Sequence, residues 1–164
     1  IMATWTIEDQ ENCVKASIFG ALFFALLTGF QLLRDISLFW FELKAVSDAF
    51  SYGVLFSVVY FLVKVTKQPK LLSYGWKIRE ICGDFQDEYL RSRFQRATTL
   101  AYNLTIVVAF SGYVITHLIN KNGNPDWLAF QPFLLLTIFI GSISFYLSLR
   151  TVLDEQDEAA QETN

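Results

Sequence analysis

His117 is the only histidine in the 164 residues, and the polar side chains that fall inside long apolar stretches are few: Asp48, Asn103, His117 and Gln131. Such residues are the first candidates for a proton or ion path, because a polar group in hydrocarbon costs free energy unless it is paired. Asp48 and His117 both fall near the ends of their stretches, on what the charge pattern below makes the same side. A carboxylate and an imidazole there can pair, or hold a proton or cation; plain solvation at the membrane surface is the competing reading. Asn103 sits deeper, where an amide that bonds across helices contributes roughly 1 kcal/mol. Asn103-Leu104-Thr105 has the form of a glycosylation acceptor, but the apolar residues around it place it inside a membrane span. No further chemistry converges: there is no Gly-x-Ser-x-Gly, no His-Glu-x-x-His, no glycine-rich phosphate loop and no carboxylate pair in an apolar segment. The two cysteines, Cys13 and Cys82, form neither a Cys-x-x-Cys nor a metal-ligand spacing. The expectation is a non-enzymatic protein with no metal, no cofactor and no direct contact with nucleic acid.

A denser cluster lies between Asp84 and Ala97, which has no glycine or proline after Gly83. Asp84 is placed to cap a helix, Asp87 and Glu88 to complement its dipole in the first turn, and Asp87 and Arg91 to pair at i, i+4. The spacing predicts a helix starting near Asp84 that stands about three turns clear of the membrane before entering it. Arg91, Arg93 and Arg96 then face anionic headgroups, a protein partner, or both, at roughly 1 kcal/mol per basic residue near an anionic surface.

The elements that position these residues follow from hydropathy. Residues 14–33, 45–65, 98–118 and 127–149 each reach the roughly 20 residues that a helix needs to cross a bilayer core. They are apolar all round, where a soluble helix keeps a polar face. The first exceeds the length of a signal-peptide core and follows the acidic run Glu8-Asp9-Gln10-Glu11, so it reads as a retained span. The predicted fold is therefore all-α: an integral membrane four-helix bundle in one domain, with a loop over 66–97 and an acidic tail over 151–164. The tail reads as a solvated, fraying helix end or a disordered segment.

Of 13 lysines and arginines, eight lie from the end of the second span to just before the third: Lys64, Lys67, Lys70, Lys77, Arg79, Arg91, Arg93 and Arg96. Short cytoplasmic loops carry this excess, so the central loop and, with four crossings, both termini are expected inside. Trp40 lies in the outer connection, Trp127 starts the fourth span, and Tyr74 and Trp76 flank the inner loop, as interfacial aromatic residues do. Both cysteines are then on the reducing side, and no disulfide is expected. Close helix packing in lipid relies on small residues, and Ser17, Ala21, Ala25 and Gly29 form a ladder along one face of the first span. Shorter stripes follow at Ala49-Gly53-Ser57, Ala101-Thr105-Ala109 and Gly141-Ser144-Ser148. These stripes build either the bundle's own core or a homo-oligomer interface.

Asp87-Glu88 ahead of an Ala97-x-x-x-Ala101 run, with a fourth span ending Phe145-Tyr146-x-x-x-Arg150, resembles small uncharacterised prokaryotic membrane proteins with an Asp-Glu-Arg signature before the third helix. The likeness covers about the second half of the chain, and Tyr89 stands where that signature has arginine. Such proteins are often encoded beside a helix-turn-helix regulator, so the resemblance implies a membrane partner or sequestering role. Three readings follow. One is an interaction protein of a bacterial inner membrane that docks a partner on its basic face. Another is a small oligomeric channel or transporter using Asp48, Asn103 and His117. The last is an accessory subunit whose first-span ladder meets another chain. Lipids are partners in all three.

Overall fold

Long apolar runs without internal proline favour uninterrupted helix. Pro132 sits in a first turn, where its missing N–H costs nothing. The computed structural model describes residues 6–39, 41–67, 85, 87–121 and 130–162, with side chains for all of these except 7, 8, 39, 119–121, 130–132 and 152–162. Four helices hold nearly all of them: α1 (Ile7–Phe39), α2 (Lys44–Lys67), α3 (Glu88–Lys121) and α4 (Phe130–Glu162). All four are long and apolar enough to cross a membrane, and between 6% and 11% of each apolar window is buried within the chain. Tyr52, Phe56, Phe110 and Tyr113 are each more than 60% exposed. In water each such side chain would forgo about 1.5–3 kcal/mol of burial. Lipid removes that cost, and the chain is a membrane protein.

Every helix outruns its hydropathy signal. At 33 residues α1 is about 50 Å long, against a hydrocarbon core of about 30 Å. Its start is a capping box: Thr6 Oγ1 accepts from the Asp9 amide at 3.2 Å, and Asp9 Oδ2 accepts from the Thr6 amide at 3.3 Å. Arg34 and Asp35, just past the expected 14–33 span, are helical. The link to α2 is short and tight, with Glu42 in the left-handed region at φ 52°. The acidic stretch after Arg150 continues as helix to Glu162, so of the two expectations for the tail the helical one holds there.

The substantial packing joins α1 to α2, α1 to α4, and α3 to α4. Glycines mark the crossings. A Cβ on Gly53 would meet the Phe30 ring at 2.6 Å, one on Gly29 the Phe139 ring at 2.9 Å, and one on Gly112 the Phe133 ring at 2.7 Å. On α4, Gly141 receives Thr105 of α3. Between α1 and α2, Phe23 stacks on Phe61 at 4.2 Å and Phe19 on the same ring at 5.5 Å. These pairings make successive helices antiparallel. Of the α1 ladder, Ala25 is buried and Gly29 abuts α4, while Ser17 and Ala21 are half-buried.

Candidate functional site

Phe85, 1% exposed, anchors the beginning of α3. Its ring stands edge-on to Phe94 at 5.2 Å, and Phe94 stands edge-on to Phe145 of α4 at 5.4 Å. Leu90, Phe94 and Ala97, at helical spacing on one face of α3, close over Cys13 and Val14 of α1 and Leu149 of α4. Cys13 is buried in that core and forms no disulfide with a described residue. The start of α1, the start of α3 and the later part of α4 thus meet at one end of the molecule.

Polar contacts reinforce this junction. Gln10, 2% exposed, accepts the Asp87 amide on its Oε1 at 3.1 Å. Asp87 in turn caps α3, its Oδ1 accepting from the Tyr89 amide at 2.8 Å and the Leu90 amide at 3.3 Å. The helix therefore starts at Glu88 with Asp87 as its cap, which corrects the expected start and cap at Asp84, itself outside the described residues. Glu88 lies in the first turn, where the dipole favours an acid.

The three arginines take different positions on this rigid turn. Arg91 donates from Nε to the Phe85 carbonyl at 2.9 Å, tying its charge to the segment ahead of the helix. Arg93 lies over the Tyr89 ring, 5.4 Å from its centroid. Arg96 is exposed and makes no hydrogen bond or ion pair with a described residue. Arg93 and Arg96 open onto a groove of about 590 Å³ between α3 and α4, whose other polar walls are Thr99, Asn103, Ser148 and Thr151. Asn103, a candidate for a bond across helices, is exposed on this groove, its face of α3 turning away from the contact that Thr105 makes with Gly141.

The other sequence candidates are dispersed. Asp48 is exposed in the first turns of α2. His117 is exposed near the far end of α3, its ring nearly parallel to Tyr113 at 6.1 Å, beside a smaller, mainly apolar cavity of about 380 Å³. No hydrogen bond or ion pair joins Asp48 to His117. The Gln131 side chain, Cys82, Lys70, Lys77, Arg79 and the aromatic residues Trp40, Tyr74, Trp76 and Trp127 lie outside the described residues. Among the described residues no three His, Cys, Asp or Glu converge as metal ligands.

Two groups escaped the sequence reading. Asp35 is 7% exposed and pairs with Arg34, whose Nη2 lies 3.1 Å from its Oδ1. Adjacent opposite charges just past a hydropathy window were the available signal. Gln10 was hidden in an acidic run, and no local pattern marks a partner 77 positions away. No family model, curated protein or solved structure matches the chain.

Proposed function

We propose that this chain is a non-enzymatic protein of a bacterial inner membrane that docks a protein with an acidic surface on its basic cytoplasmic face. The observation that carries the reading is the fixed start of α3. One face of its first turns is locked into the Phe85 core, while Glu88, Tyr89 and Arg96 point outward and Arg93 is only half-buried. A helix held this way presents its cations without the ordering cost a mobile loop would incur on binding. The excess of lysine and arginine at this end favours a cytoplasmic location, with both termini inside and the four helices as one bundle. The resemblance to membrane proteins encoded beside a transcription regulator supports a tethering or sequestering role.

A photo-crosslinker at Ser92 in native membranes tests this. The expected result is one discrete heteromeric adduct, abolished when Arg91, Arg93 and Arg96 are together replaced by alanine while membrane insertion is unchanged. An adduct that survives the triple replacement refutes the reading. The competing reading, an oligomeric channel or transporter, draws on the exposure of Asp48, Asn103 and His117, which a second copy would have to enclose. Ion flux in proteoliposomes that is lost with Asp48→Asn would favour it.

A further inference from the structure

We infer that an exposed stripe of α3 is the contact of a symmetric homodimer, in which Asn103 pairs with Asn103 of a second copy of this chain. The inference does not depend on the docking reading, and it leaves the first turns of α3 outside the contact.

Among the described helices, α3 packs substantially on α4 alone. That contact takes up its small residues: Gly141 of α4 receives Thr105, and the Phe133 ring lies against Gly112. A different stripe stays open. Thr99, Asn103, Ile106, Phe110, Tyr113 and His117 follow one another at alternating steps of four and three, and all six are exposed. This is the heptad spacing that keeps one line of a helix against a parallel partner. The adjoining exposed face is aliphatic, at Leu100, Leu104, Val107, Val114 and Leu118, which suits lipid. Exposed polar and aromatic side chains of the span gather instead on the stripe or at its edge, at Tyr102. The exceptions are Ser111 and Thr98, the latter bonded back to the Phe94 carbonyl.

Asn103 identifies the occupant. It stands about 7 Å inside the predicted span at 98–118. Thr105 and Thr116 on the same helix bond back to the Ala101 and Gly112 carbonyls at 2.7 and 2.8 Å, but the Asn103 amide makes no hydrogen bond with a described residue. An amide left unpaired in hydrocarbon is costly. Acyl chains offer neither donor nor acceptor, whereas an amide is both and so complements its own copy. Two copies inserted the same way are related by a twofold axis along the membrane normal, which brings like residues together. Asn103, Phe110 and His117 then form one set of layers, and Thr99, Ile106 and Tyr113 the other. A single asparagine layer is the device that fixes register and pairing in two-stranded coiled coils. The next layer toward the start of α3 is the exposed Arg96, whose like charge on the second copy parts the helices there.

The test places a photo-crosslinker at Phe110, or at Val107 on the aliphatic face as the control, in full-length protein in native membranes. We expect an adduct of twice the chain mass at 110, at least tenfold stronger than at 107. Energy transfer between dye-labelled copies in phosphatidylcholine liposomes, followed over a hundredfold range of lipid dilution, then gives the dimer dissociation constant. Asn103→Leu, which inserts at least as readily, should raise that constant about threefold to twentyfold. Asn103→Gln, which keeps an amide, should raise it less, and Val107→Ala should leave it unchanged. Absence of transfer at every dilution, which would mean that lipid alone covers the stripe, overturns the inference. So do equal adducts at 107 and 110, a dissociation constant unmoved by Asn103→Leu, or closed assemblies of more than two copies. Replacing Arg91, Arg93 and Arg96 together should not remove the homodimer adduct, so the docking reading and this one fail separately.

Discussion

Replacing Phe85 by alanine separates the two halves of α3. The ring is 1% exposed, and its edge contact with Phe94 at 5.2 Å continues to Phe145 of α4. Truncating a buried phenylalanine to alanine costs about 3–5 kcal/mol, of which the aromatic pair supplies about 0.5–1.5. Phe85 stands ahead of the helix and outside all four apolar windows, so the loss falls on the first turns and leaves insertion intact. Local opening there should become easier by that amount. At about 1.4 kcal/mol per factor of ten, amide exchange over residues 88–97 should accelerate by about a hundredfold to a few thousandfold, up to the intrinsic rate. Hydrogen-exchange mass spectrometry in nanodiscs reads this directly, with residues 104–116 as the internal control. Acceleration of less than about threefold over 88–97, or equal acceleration in both windows, would show that the core around Phe85 does not hold the arginine-bearing turns, and the docking reading would lose its basis.

Gly53→Leu should destabilise the α1–α2 contact by about 1–3 kcal/mol, since even a Cβ meets the Phe30 ring at 2.6 Å. Gly20→Ala, with nothing within 4 Å of the new carbon, should be neutral or stabilising by up to about 1 kcal/mol; thermal unfolding in one detergent compares the two. Glu42→Gly should stabilise by about 0.5–1 kcal/mol by relieving the left-handed backbone at φ 52°, and a lower unfolding midpoint would contradict this. Arg34→Ala should cost about 1–3 kcal/mol by leaving the Asp35 carboxylate nearly buried without its cation. Adding Asp35→Asn should recover most of that loss, and strictly additive effects in the double variant would show that the pair is not coupled.

The spans were legible because lipid imposes a length and an all-round apolarity that can be read without knowing any contact. Residues 14–33, 45–65 and 98–118 lie inside α1, α2 and α3, and the part of 127–149 within the described residues lies inside α4. The helix ends were less legible. Hydropathy reports the hydrocarbon thickness, whereas the backbone continues as helix until a cap or a strained turn stops it, as Thr6 and Glu42 do for α1. At the start of α3 the local pattern pointed to Asp84 as the cap and to Asp87 as a first-turn acid. The buried Phe85 ring anchors the chain just ahead of the helix, and Asp87 is the residue whose carboxylate reaches the next amides. The surroundings of Asn103 were illegible for a related reason. Depth along a helix is readable from sequence, but the face it turns toward its neighbours depends on which glycine receives which side chain, here Gly141 receiving Thr105.

The placement of hydrogen bonds argues for where function resides. Within the spans the described hydroxyls that donate do so mostly three or four residues back along their own helix, so these bonds specify nothing about helix partners. Contacts between spans there are aromatic rings against glycines, which set distance but tolerate sliding along lipid-facing surfaces. Between described residues, the one side-chain hydrogen bond that joins two different elements runs from the Asp87 amide to Gln10, beside the most buried apolar cluster of the chain. A membrane protein that needed only to span would gain little from a water-type core at one end of its helices. A protein that must hold the start of α3 in a defined orientation, with Arg93 and Arg96 aimed along one groove, requires one there.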